Sequence, residues 1–272
     1  MFQQFNEFLV WFDDLVWGVP LIVLILVVGI FLTIRLHGLQ IRYLPKALKY
    51  MVKNEEGGKG EVTSFGALCT ALSATVGTGN IVGVATAIVA GGPGALFWMW
   101  IAALFGMATK FAEGVLAIKY RVIEPDGHVL GGPFYYIENG MGVKWRWLAK
   151  IFAFFGAGVG LLGIGTFTQV NGIASAANNF FDPNNQWTVN LLGMDYSWSV
   201  VITGTIVPIF VGLVVIGGLK RIANVSQIIV PFMIVIYVIC CGIILITNAG
   251  LIPAAITEIV ASAFGLRAVA GG

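Results

Sequence analysis

Charge is what this chain has least of. Of its 272 residues only 10% are Asp, Glu, Lys or Arg, while 58% are apolar and the mean hydropathy is +0.92. A soluble core cannot hide that much apolar surface, so the composition excludes a soluble domain and leaves an all-α polytopic membrane protein. Histidine is almost missing: His37 and His128 stand alone in loops, without ligand spacing or a carboxylate partner, which argues against a metal centre. An enzyme would need a nucleophile with a base near a span centre, and the chain offers none, so no enzymatic role is expected. The three cysteines, Cys69, Cys240 and Cys241, fall in apolar spans and are odd in number, which suits buried small residues better than disulfides. Net charge is only +2 and its basic residues are dispersed over loops, so nucleic acid is not implied as a partner. The N-terminal arm carries Glu7, Asp13 and Asp14 and is not the basic leader of a cleavable signal peptide.

What is present are long apolar runs. Taking about 20 apolar residues as the minimum for a crossing, spanning helices are expected at about residues 18–36, 62–90, 94–118, 147–177, 197–217 and 223–247, with a further apolar stretch starting at Leu251. The loops orient them. Arg35, Arg42, Lys46, Lys49, Lys53 and Lys59 follow the first span; Lys119, Arg121, Lys144, Arg146 and Lys150 follow the third; Lys220 and Arg221 follow the fifth. The opposite loops hold Asp182 and Asp195 and no basic residue, so the positive-inside rule places the N-terminus outside a cell membrane, the plasma membrane of a prokaryote. Trp11, Trp17, Trp98, Trp100, Trp187 and Trp198 fall at outer span ends and Trp145 and Trp147 at an inner one, as interfacial belts require. The segment 42–53, with Leu44, Leu48 and Met51 among its basic residues, is either an ordinary positive-inside loop or an amphipathic helix along the anionic inner leaflet.

The span at 62–90 is longer than one straight crossing needs, and the surplus coincides with Gly77, Thr78, Gly79 and Asn80. An unwound turn is tolerated at membrane depth only where it is buried in protein or lines a cavity, so this is expected to be a broken helix and a solute site. Breaking a helix frees carbonyls at the end of its first half and N–H groups at the start of its second. The carbonyls suit a cation and the N–H groups an anion, so an amino acid zwitterion with a sodium ion fits the pair. The competing reading is a small-residue packing face, since Gly79 and Gly83 are spaced as GxxxG. Asn80 and the hydroxyls of Thr70, Ser73, Thr75 and Thr78 are more than such a face requires.

The same residues carry a resemblance. The run Ala67-Leu-Cys-Thr-Ala-Leu-Ser-Ala-Thr-Val-Gly-Thr-Gly-Asn-Ile-Val-Gly-Val-Ala-Thr-Ala-Ile, followed by Gly91-Gly-Pro-Gly-Ala-Leu-Phe-Trp-Met-Trp and Gly106-Met-Ala-Thr-Lys-Phe-Ala-Glu113, resembles the alanine/glycine:cation symporters, the sodium:alanine symporter family. Gly131-Gly-Pro-Phe-Tyr-Tyr136, Gln169 with Asn171, Lys220-Arg-Ile-Ala-Asn-Val-Ser226 and Pro231-Phe-Met233 continue it beyond the third span. The resemblance implies a leucine-transporter-type fold, two inverted five-helix repeats around a midplane substrate. On that plan residues 1–272 form one transmembrane domain: 18–36 is an extra helix, 62–247 the first repeat with its broken helix at 62–90, and 251–272 the start of the second.

The resemblance also implies roles. Thr75, Gly77, Thr78, Gly79, Asn80 and Gln169 would bind a small neutral amino acid, alanine or glycine, and carbonyls at Ser73, Thr75, Val76 and Asn80 would bind sodium. Gln169 could instead make only an interhelical hydrogen bond, and Ile173, one turn on, would bound the substrate's side chain. Lys110 and Glu113, at i and i+3, are expected to pair as a structural or inner-gate element. No carboxylate sits near the midplane to carry a proton, which makes sodium the more natural coupling ion. Family members continue with four more spans after the second broken helix, whereas this sequence stops at Gly272. The alternative expectation is therefore a truncated, non-transporting fragment, or a channel or structural subunit that needs a partner chain to supply the missing half.

Overall fold

The computed structural model describes residues 2–53, 61–163, 165–191 and 193–265, and they are mainly helical. In chain order the helices are α1 (Phe2–Trp17), α2 (Val19–Arg35), α3 (Leu39–Arg42), α4 (Leu44–Val52), α5 (Ser64–Thr75), a π-helical turn (Gly79–Gly83), α6 (Val84–Gly91) and α7 (Gly94–Lys119). A hairpin of β1 (Val122–Ile123) and β2 (Val129–Leu130) leads to α8 (Pro133–Met141), α9 (Arg146–Leu162) and α10 (Thr166–Phe181). A second hairpin, β3 (Thr188–Leu191) with β4 (Met194–Ser197), precedes α11 (Trp198–Val215), α12 (Gly218–Thr247) and α13 (Ile252–Ser262). Both hairpins are antiparallel, pairing Val122 with Leu130 and Thr188 with Ser197 at their open ends. Among the described residues five helical runs are long and apolar enough to cross a bilayer, six when the bent pair Ser64–Thr75 and Gly79–Gly91 is taken as one.

The spans expected at 18–36, 94–118, 197–217 and 223–247 are α2, α7, α11 and α12, and that expected at 62–90 is the bent pair of α5 and the helix ending at Gly91. The N-terminal arm is helical as well, α1 preceding α2 in one helical run, Gln3–Arg35. The span expected at 147–177 falls within one candidate membrane-spanning run, Val143–Phe181, made of the two helices α9 and α10, between which Gly163 (φ 62°) and Gly165 (φ 87°) take the left-handed conformation that only glycine adopts cheaply. Segment 42–53, given above as a loop or a helix, contains the helix α4. Lys59 and residues 266–272, which include most of the expected approach to a second break, lie outside the described residues.

The chain divides into two compact units. The first comprises 1–49, 87–149 and 254–272. In it α2 lies against α7, where Gly29 lets the helices close: a Cβ there would sit 2.9 Å from the Phe105 Cβ. Ala95 and Ala108 of α7 are fully buried, and Gly94 abuts the backbone of Ser262 while the Trp98 indole donates to the Ala263 carbonyl at 2.6 Å. The second unit comprises 50–86 and 150–253. There α5 lies along α12, with Gly66 and Cys69 buried on one helix and Ala223, Ser226 and Val230 on the other. In both units the interior is built of small residues, and large side chains such as Leu161 and Ile216 face outward. Helices in lipid gain little by hiding leucine from it, so close backbone approach and van der Waals contact supply the association instead. Of the cysteines, Cys69 is buried as expected, whereas Cys240 is exposed on α12.

Candidate functional site

The second unit holds the broken helix. Thr63 caps the start of α5, its hydroxyl accepting from the Gly66 N–H at 3.0 Å, and α5 ends at Thr75. Val76 is extended (ψ 111°), and the chain resumes as a helix after a 55° bend, passing through the π-helical turn Gly79–Gly83. Single π-helical turns inside a helix recur at functional sites. The Val76 amide still closes on Leu72 at 2.7 Å. The Gly77 amide, which would reach back to Ser73 in a continuous helix, donates to Asn80 Oδ1 at 3.4 Å, while the Asn80 amide returns to the Gly77 carbonyl at 3.1 Å. Asn80 therefore caps the break from its far side. The Ser73 and Thr75 hydroxyls donate to the Thr70 and Ala71 carbonyls at 2.7 and 2.8 Å, so their oxygens keep lone pairs available at the end of α5.

Against the turn lies the first part of α10. Its start at Thr166 follows the left-handed Gly163 and Gly165, and Gln169 lies in the first turn of the helix. The Gln169 Oε1 accepts both the Thr78 N–H at 3.1 Å and the Thr78 hydroxyl at 3.0 Å. Two glycines permit that approach. A Cβ on Gly77 would lie 2.6 Å from Gln169 Nε2, and one on Gly172 would lie 2.5 Å from the Thr78 methyl. On the other side of the break the situation reverses, because a Cβ on Gly79 or Gly83 would meet nothing within 4 Å. These two glycines do not form a packing face among the described residues; they line a cavity of about 650 Å³ with Thr78, Val82 and Thr86 and, from α10, Thr168, Gln169, Asn171, Gly172, Ser175, Ala176 and Asn179.

Of the residues singled out from sequence, the structure brings Thr78, Gly79 and Gln169 together on this cavity, with Gly77 in contact with Gln169. Val76 and Asn80 belong to the turn and Ser73 and Thr75 to the end of α5, and none of the four lines the cavity. Ile173 is not on its wall either; the face of α10 toward the cavity runs through Thr168, Gly172, Ser175 and Asn179, and Ile173 lies one residue to the side of it. Thr86, Thr168, Ser175 and Asn179 were not singled out, although polar residues at 168, 171, 175 and 179 are spaced as one helix face. In the first unit Lys110 Nζ meets Glu113 Oε2 at 2.8 Å, the expected i, i+3 pair. Burial and the Glu113 charge together push the Tyr136 phenol of α8 above its ordinary pKa, against a smaller opposing effect of Lys110.

The far end of α10 is pinned by a carboxylate. Asp182, only 6% exposed, accepts the Gln186 N–H at 2.7 Å, the Trp187 N–H at 3.1 Å and the Ser197 hydroxyl at 2.8 Å. Burial alone would raise its pKa, but the hydrogen bonds from Gln186, Ser197 and Trp187 outweigh it and hold the carboxyl below its ordinary value. Ser199 of α11 adds a hydrogen bond to Asn178 Oδ1 at 2.6 Å, so α10, the β3–β4 hairpin and α11 are joined at one end.

Comparison with known proteins gives the chain its relatives. The chain is 52% identical over 260 residues to an uncharacterized transporter of Haemophilus influenzae, covering 96% of this chain and 53% of that protein. It is 47% identical over 262 residues to the sodium/alanine symporter AgcS of Methanococcus maripaludis, covering 94% and 54% respectively. It is 37% identical over 261 residues to the amino-acid carrier protein AlsT of Bacillus subtilis, covering 96% and 51%. The chain thus spans about half the length of the curated relatives it matches. The family description "Sodium:alanine symporter family" matches residues 2–272, and the chain belongs to that family.

Proposed function

We propose that this chain contributes the broken-helix part of the binding site of a sodium-coupled symporter for a small neutral amino acid, alanine or glycine. The observation that carries the reading is the Thr78 N–H and hydroxyl, presented together at a helix break beside a cavity of about 650 Å³ and held there by Gln169. The N–H groups that start the second half-helix suit a carboxylate, and the carbonyls that end α5, at Ser73, Thr75 and Val76, suit sodium. Asn80 acts by fixing the turn, since its side chain holds the Gly77 amide. Membership of the family supports sodium as the partner ion and an amino acid as the solute. On this reading the fold is the inverted-repeat type, with 62–247 as its first repeat and the N-terminus outside, and the Lys110–Glu113 pair serves as a structural or gating element on the inner side.

Sodium and substrate held side by side raise each other's affinity by the same factor, and that linkage couples their fluxes. The test is uptake of radiolabelled alanine into proteoliposomes carrying the natural gene product. Uptake is expected to require an inward sodium gradient, and apparent alanine affinity is expected to rise with sodium. Alanine affinity indifferent to sodium overturns the coupling. Asn80→Ala is expected to abolish alanine binding in a protein that still inserts and stays monodisperse; unchanged affinity removes Asn80 from the site.

A further inference from the structure

A basic, one-sided helix stands where α2 leaves the apolar run. α2 ends in a Schellman turn: the Gly38 N–H reaches the Thr33 carbonyl at 2.8 Å and the His37 N–H reaches that of Ile34 at 3.0 Å, with His37 itself left-handed at φ 55°. The chain is then fastened back, because the buried Gln40 of α3 donates to the Thr33 hydroxyl at 3.0 Å. α4 starts only a few residues after that fastening, so it is held at the level of the last turn of α2. Its Leu44, Leu48 and Met51 follow i, i+4, i+7 spacing on one face and are 50%, 53% and 41% exposed. Lys46 and Lys49 project from the opposite arc, Arg42 precedes the helix and Lys53 follows it, and no acidic residue occurs from Arg35 to Lys53.

We infer that α4 is an interfacial anchor that binds the anionic phospholipid headgroups of the leaflet at the α2 exit, the cytoplasmic leaflet under the topology proposed above. Its apolar face enters the acyl boundary, and its lysines lie at headgroup level, where long basic side chains extend toward phosphate. The charge complementarity is one-signed from Arg35 to Lys53, where the basic residues meet an anionic surface, and the first acids, Glu55 and Glu56, come only after that segment. A second protein surface would need acidic partners on one side and an apolar groove on the other; a leaflet supplies both at the depth where the Schellman turn and Gln40 fix the helix.

The test uses hydrogen–deuterium exchange of the natural gene product in nanodiscs of phosphatidylcholine alone and with phosphatidylglycerol added. Amides of 44–52 are expected to exchange more slowly in the anionic discs, and high salt is expected to remove the difference. The Lys46→Gln/Lys49→Gln/Lys53→Gln variant is expected to lose protection by about fivefold per lysine, the factor expected for one basic residue near an anionic leaflet. Equal exchange in both lipids overturns the inference. Strong protection in both discs does so too, since it means that protein covers the helix. Because neither readout depends on transport, failure here leaves the symport reading standing, and failure of sodium-dependent uptake leaves the anchor standing.

Discussion

Gly66 and Gly79 lie on the two sides of one helix break and meet opposite surroundings. At Gly66 a Cβ would lie 2.5 Å from the amide nitrogen of Gln227, because α5 is pressed along α12 and buries Cys69 there. At Gly79 a Cβ would touch nothing within 4 Å. One residue type thus does two jobs: before the break it removes bulk so that helices can close, and after it leaves room beside exposed backbone. Between them, Gly77 and Gly172 form a third situation, in which missing side chains let a single amide, Gln169, reach the turn. A broken span in this chain is therefore one anchored half and one open half, joined by a turn whose geometry is set from a neighbouring helix.

The comparison is broken most severely at its anchored side. Gly66→Leu forces a bulky side chain into the α5–α12 contact, and the expected result is a loss of about 3 kcal/mol, the upper end of ordinary overpacking, or failure to insert; melting of the detergent-solubilised protein measures it. Next comes the turn. Gly77→Ala drives a methyl group into Gln169 and is expected to release both Thr78 hydrogen bonds, a cost of about 2 kcal/mol at roughly 1 kcal/mol per bond, and alanine should no longer raise the melting temperature. The open side is expected to behave in reverse: Gly79→Ala gains about 0.5–1 kcal/mol from helix propensity while alanine binding weakens. Destabilisation by Gly79→Ala would show that its surroundings are closed after all. The smallest effect belongs to the α10 anchor. Because the Asp182 carboxyl is depressed in the folded chain, its contribution is present above the unfolded value of about 3.9 and is lost as pH falls through the lower folded value. Asp182→Asn is expected to flatten the fall in stability below about pH 4, measured as melting temperature against pH.

The break at 76–80 was legible because glycine, threonine and asparagine interrupt an apolar run that is too long for one crossing. The left-handed Gly163 and Gly165 carry the same signal, with further glycines at 156, 158 and 160, but small residues are also common where membrane helices pack, so the pattern does not distinguish a change of helix from a continuous one. Within α10 the cavity face is centred on Gly172 and Ser175 rather than on the i, i+4 partner of Gln169, which leaves Ile173 off the wall. The hairpins were invisible for a different reason: strands of two and four residues are too short to show alternation, and β4 reads Met-Asp-Tyr-Ser. The burial of Asp182 was equally hidden, since its partners are two backbone amides and a hydroxyl fifteen residues on. The Lys110–Glu113 pair, by contrast, followed from helical spacing alone.

The Thr78 amide is already hydrogen-bonded, to a neutral carbonyl oxygen from Gln169 at 3.1 Å. An arriving ligand group must therefore exchange with that oxygen rather than add to a bare donor, and its gain is only the difference between two acceptors. A neutral ester or amide offers almost no difference and is left with the cost of displacing Gln169. A carboxylate makes a charge-assisted bond roughly twice as strong, so the exchange favours it. On the proposed function Gln169 would act as a built-in reference compound: the turn would discriminate by how much better than an amide the visitor is, with ionisation state the first property it selects.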